Sequence, residues 1–161
     1  HLPANRERVN LIETVAAMDV RMAIWGRGWD KLAPASAARR CHRGPTLLPA
    51  AAVGRVYRAA KIVLNVHHPQ MREGVNMRTF EIPAAGAFQL SDYKSRMDEL
   101  FDVGQEIAVF RDRDKLADRV RDHLADPDSR RAIAQAGHRR VERDHTYRVR
   151  MRQLVERATG A

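Results

Sequence analysis

Short apolar runs alternate along the chain with longer stretches in which apolar side chains recur every three or four positions. The first stretch predicts a helix over Arg6–Met18, capped by Asn5, with Ile12, Val15 and Ala16 on one face and Leu11, Val15 and Met18 beside it. Val20–Trp25 then reads as a buried strand that leaves through Gly26-Arg27-Gly28. Trp29–Leu48 has no period, contains Pro34, Gly44 and Pro45, and reads as loop. A second helix over Pro49–Ala60 leads to a strand at Lys61–Val66, and two further strands are expected at Ala87–Leu90 and Ile107–Phe110. Beyond them the pattern is helical. Leu116, Val120 and Leu124 repeat every fourth residue, and Asp126-Pro127 supplies a cap followed by proline in the first turn. Tyr147, Met151, Leu154, Val155 and Ala158 mark the expected inward face of a last helix. Gly137, inside a helical stretch, points to close helix packing, and Thr146 is a candidate cap beside a packed His145.

Strands that alternate with helices argue an α/β domain with a Rossmann-like parallel sheet covered by helices on both faces. The 161 residues suit one domain, 1–161, and hold no apolar run long enough to span a membrane. The single cysteine, Cys41, leaves no internal disulfide and agrees with a reducing, cytoplasmic setting.

The segment from Val66 to Asp92 holds the candidate chemistry. Glu73 and Glu81 are separated by seven residues, with Gly74, Val75, Asn76 and Met77 leading into a short helix that Asn76 caps. Backbone N–H groups at such a helix start favour an anion such as phosphate, and Gly74 allows close approach. Arg78, in the first turn, is a candidate phosphate contact. Pro83 should keep this helix short or kinked. Arg27, at the end of a strand, lies where open α/β sheets bind ligands. His67 is a candidate for a ligand pocket. A metal on His67-His68 is disfavoured, because adjacent histidines diverge and no third ligand has suitable spacing.

The net charge of +9 raises the question of nucleic acid. Residues 71–110, however, carry 4 basic and 7 acidic side chains, so the positive excess lies in the flanking segments. Arginines interleaved with aspartates there read as a solvated surface, which argues against a nucleic-acid groove.

The Glu-x7-Glu pair, closed by Ala84-Ala85-Gly86, resembles the donor site of retaining GT-B glycosyltransferases. The run NMRTFEIPAAGAFQLSDY is similar to the spore-maturation-type branch with its glycosyltransferase-group-1 domain. The likeness extends through GRGW, VYRAAKIVLNVH, ELFDVGQEIAVFRD and RDHTY in the same order. The resemblance implies a donor-binding C-terminal domain that serves a hexosyltransferase, metal-independent and without a cofactor beyond its nucleotide-diphosphate sugar. It implies that Glu73 contacts sugar hydroxyls as the catalytic carboxylate, that the Gly74–Met77 amides cradle the diphosphate, and that Glu81 holds the ribose. Arg6, near the start of the first helix, corresponds loosely to a basic residue that neutralises the leaving diphosphate. The implied partner is an N-terminal acceptor domain of the same protein, without which transfer is not expected. The resemblance also implies a first strand ahead of His1, absent here, so that the sheet stands open beside Val20–Trp25. A non-catalytic nucleotide-sugar-binding module and a basic nucleic-acid-binding α/β domain are the alternatives.

Overall fold

The computed structural model describes residues 6–45 and 49–160, so the expected Asn5 cap and the end of the loop at Leu48 lie outside the described residues. The chain runs through α1 (Arg6–Ala16), β1 (Ile24–Trp25), a 3-10 turn at Trp29–Lys31, α2 (Ala37–Cys41) and β2 (His42–Gly44). It continues through α3 (Ala50–Ala59), β3 (Val63–Asn65), α4 (Arg78–Ala84), β4 (Gln89–Asp92), α5 (Met97–Leu100) and β5 (Ala108–Phe110). Three helices close it: α6 (Arg113–Ala125), α7 (Pro127–Asp144) and α8 (Tyr147–Thr159). No helix among the described residues is long and apolar enough to cross a membrane.

The sheet is parallel and flanked by helices, as the α/β pattern predicts. It comes in two parts. β3, β4 and β5 lie side by side in sequence order, in parallel register from Val63 opposite Gln89 and from Leu90 opposite Ala108. β1 pairs separately with β2, also in parallel. The strand expected beside an open edge is therefore paired from within the chain. Its pairing partner comes from the region expected to be loop, which also forms α2. The Glu13 carboxylate of α1 accepts from the first amides of α2, Ala37 (3.1 Å) and Ala38 (3.3 Å), and from the Ser36 hydroxyl. It thereby satisfies groups that a helix start leaves free.

Side-chain alternation along the strands divides the core. Leu64, Val66, Phe88, Leu90, Ala108 and Phe110 point to the face covered by α1 and α6, where Leu11, Ile12, Val15, Leu116 and Val120 meet them. Ile107 and Val109 point the other way, to Met97, Phe101 and Val141 of α7. On that second face β3 and β4 also carry polar side chains, Asn65, Gln89 and Ser91, all buried. A period of two in a run covered on both sides produces this division.

Two places in the chain depend on glycine. α4 ends after seven residues with Pro83 in its last turn, and Gly86 follows at φ 72°, which L side chains rarely adopt. Gly137 of α7 crosses so close to the β5 approach that an added Cβ would stand 2.3 Å from the Glu106 carbonyl oxygen. This is the close packing that its place in a helix predicts. The last helix departs from expectation. Tyr147, Met151, Leu154 and Val155 of α8 are 77, 53, 58 and 56% exposed, and Ala158 is exposed with them. Periodicity identifies an apolar face but not its cover, and no described element covers this one.

Candidate functional site

Loops after β3, β4 and β5 leave the same end of the three-stranded sheet, because the strands are parallel. At that end they meet the first turn of α1 in a cleft of about 170 Å³. Its walls carry Arg8, His67, Asp92, Lys94, Arg111 and Arg113, with Glu7 at the edge. A larger hollow of about 540 Å³ lies along α8, but it is lined by side chains of that one helix and its cap and gathers no second element.

His67, buried where the chain leaves β3, is held at both ring nitrogens. Its Nδ1 lies 2.7 Å from Asp92 Oδ1, which also accepts from the His67 amide at 2.8 Å. Its Nε2 lies 3.3 Å from Thr79 Oγ1. Burial alone would raise the Asp92 carboxyl. Hydrogen bonds from the His67 ring and amide, with the charges of His67 and Lys94, outweigh it and hold the carboxyl below its ordinary value. Lys94 completes the arrangement, with Nζ 3.3 Å from Asp92 Oδ2.

Behind His67 the polar contacts continue into the loop that holds Asn76. Asn65 and Asn76 exchange amide hydrogen bonds, Asn65 Nδ2 to Asn76 Oδ1 at 3.1 Å and Asn76 Nδ2 to Asn65 Oδ1 at 2.9 Å. Asn65 Nδ2 also reaches Thr79 Oγ1 at 3.3 Å. The Thr79 amide donates to Asn76 Oδ1 at 3.2 Å, so Asn76 caps the start of α4 even though the first helical residue is Arg78. The loop is thus tied to the strand ends by side chains.

The sequence-predicted residues fall around this centre in two groups. Arg78 and Glu81, both exposed, lie on α4 beside Tyr57 of α3. Burial pushes the Tyr57 hydroxyl up, and Glu81 adds to that while Arg78 opposes it. Glu73 is exposed on the other side, its carbonyl accepting from the Arg96 amide at 3.3 Å. Gly74 and Val75 are half-buried, Val75 packing near Phe80, and Met77 is 62% exposed. Neither Glu73 nor Glu81 lines the cleft. Arg27 is exposed in the turn after β1, and Arg6 is exposed at the first residue of α1.

Sequence reasoning noted Arg8 beside Arg6 at the start of the first helix but missed Asn65, Thr79, Asp92, Lys94, Arg111 and Arg113. Asn65 and Asp92 did leave a signal, as polar residues inside or at the end of apolar runs. The arginines left none. Arg8 is half-buried, and its Nε has no hydrogen-bond partner among the described residues. Its pKa is lowered by burial and by the nearby charge of Arg78, with Asp92 opposing. Arg111 lies over the Tyr93 ring, 3.4 Å from its centroid. Among the described residues no three His, Cys, Asp or Glu side chains gather as a metal site.

This geometry can hold an anion at the strand ends, with carboxylates on α4 and its preceding loop within the same end of the fold. Residues 6–156 match the model of a family described as glycosyl transferase-like. No curated protein matches the chain.

Proposed function

Because the chain belongs to this glycosyl transferase-like family, we propose that it is the donor-binding domain of an enzyme that moves a hexose from a nucleotide-diphosphate sugar to an acceptor. The observation that carries the reading is the grouping of Arg8 and Arg78 with Asp92, Tyr57 and Glu81 at the ligand-binding end of a parallel sheet. Glycosyl transfer needs the departing diphosphate stabilised more strongly than the intact donor. Arg78 and the amides of Gly74–Met77 supply donors for that charge without a bound metal. Glu81 accepts from the ribose hydroxyls. Glu73 accepts from hydroxyls of the sugar and orients it for transfer with retention. The second partner is the acceptor-binding domain of the same protein.

Calorimetry on two variants tests these roles. A hydrogen bond to a charged group contributes roughly 1.5–3 kcal/mol. Glu81→Ala should therefore weaken binding of the bare nucleoside diphosphate by about ten-fold or more. Glu73→Ala should weaken only the sugar-bearing donor. Equal losses for both variants with the bare nucleotide, or no loss for Glu81→Ala, would refute the assignment.

A further inference from the structure

We propose that His145 is a proton-sensitive latch for the last helix: protonation of its ring breaks the contact that seats α8 and frees that helix from the rest of the domain. His145 stands at the joint where α7 ends and α8 begins. Its Nε2 lies 2.7 Å from the Leu100 carbonyl oxygen, and its Nδ1 lies 2.9 Å from Nη2 of Arg150 in α8. These two partners fix the proton. A carbonyl only accepts and a guanidinium only donates, so Nε2 carries the hydrogen and Nδ1 keeps its lone pair for Arg150. The contact therefore exists only with a neutral ring. A proton on Nδ1 removes the acceptor and sets two cations face to face.

Among the described residues little else holds α8. Within the helix only Val149 is half-buried, and residues 151–159 are exposed throughout. The seat is aromatic. The His145 ring packs with its centroid 5.2 Å from those of both Phe80 of α4 and Phe101, just after α5. Arg150 reaches the same place, 6.0 Å from the Phe80 centroid. A helix of 13 residues is marginal in water without packing, so release also melts it.

The charged groups that face the ring are Arg140 and Asp144 of α7 and Arg150 of α8. α4 and α5 face it with the Phe80 ring and the Leu100 carbonyl, neither of which titrates. Burial above all holds the ring below the ordinary histidine value; Arg150 and Arg140 add to that, while the Leu100 carbonyl and Asp144 oppose it. The seated ring thus refuses a proton that the released ring takes up. The seat is firm above 6.5, the ordinary value, and weakens as the pH falls below it. From about pH 7.5 to about pH 5.5 a free histidine passes from mostly neutral to mostly protonated, which weakens seating by up to about ten-fold.

Hydrogen exchange of the whole chain, corrected for the intrinsic pH dependence of exchange, tests the latch. Protection of α8 should fall by up to about ten-fold between about pH 7.5 and about pH 5.5, with α8 opening ahead of α7. His145→Gln keeps a donor for Leu100 and an acceptor for Arg150 but takes up no proton, so it should remove this dependence. Arg150→Met, at an exposed position, should leave α8 weakly protected already at about pH 7.5. Three results would each overturn the latch: α8 protection that does not change with pH, a change that persists in His145→Gln, or α8 as protected in Arg150→Met as in the wild type. Exchange of α8 at the same rate as α7 would overturn it too, because the helix would then open only with the whole fold.

Discussion

Alanine at Gly137 should destabilise the protein, although a helix by itself prefers alanine to glycine by about 1 kcal/mol. The added Cβ would sit 2.3 Å from the Glu106 carbonyl oxygen and 3.4 Å from Pro83 Cβ. A comfortable carbon–oxygen approach is about 3.3 Å, so α7 would have to retreat by roughly 1 Å. Several contacts tie it in place. The Pro83 carbonyl accepts from His138 Nδ1 at 3.1 Å, and the Leu100 carbonyl accepts from Arg140 Nε at 2.9 Å. Ile133 and Val141 of the same helix are buried. Overpacking of this kind costs about 1–3 kcal/mol, and stretching one hydrogen bond about 1 more. The net expectation is a loss of about 1–3 kcal/mol. Gly54 of α3 provides the opposite case, since a Cβ there would meet only Arg58 Nη1, at 3.8 Å. Gly54→Ala should stabilise by up to about 1 kcal/mol. Urea titration of both variants reads the contrast, with Gly137→Ala lowering the midpoint by roughly 1 M at unchanged slope. An unchanged or raised midpoint for Gly137→Ala would show that α7 can shift freely, and the packing argument would fail.

Gln89 is buried at 3% exposure with both amide atoms lacking partners among the described residues. Gln89→Leu should remove that penalty and raise stability by about 1–3 kcal/mol, seen as a higher melting temperature; a fall would refute it. Stability should also decrease as the pH falls below 6.5, the ordinary histidine value, because burial above all lowers the pKa of His123 and His145. Below 6.5 the unfolded chain binds protons that the folded one still refuses, so stability must drop with pH. His145→Gln should flatten the urea midpoint between about pH 7 and pH 5, and a wild-type midpoint that is flat there would contradict the argument.

How much of this was legible in the sequence follows from what each signal encodes. The alternating runs revealed strands near β3, β4 and β5, because strands covered on both faces are largely apolar. Their ends were less legible, since Ser91 and Asp92 extend the pairing of β4 into polar residues. β2 was hidden because His42-Arg43-Gly44 carries no alternation, and its pairing is set by the chain around it. The apolar stripe of α8 was legible but its exposure was not. The cleft is assembled from positions about a hundred residues apart, so no local spacing announces it. Even within α1, Arg6 and Arg8 differ by about 200° around the helix, and Arg8 is the one that lines the cleft.

Asn65, Asn76 and Thr79 each bond to the other two. Substituting any one of them leaves the remaining pair with unmet groups in a place water barely reaches, so the penalty of a first change is inflated and that of a second is reduced. The three positions are therefore epistatic. A lineage can keep the whole set or exchange it in concert, but a path through single replacements crosses a valley in stability. A strand and a loop eleven positions apart are in this way bound to change as one unit.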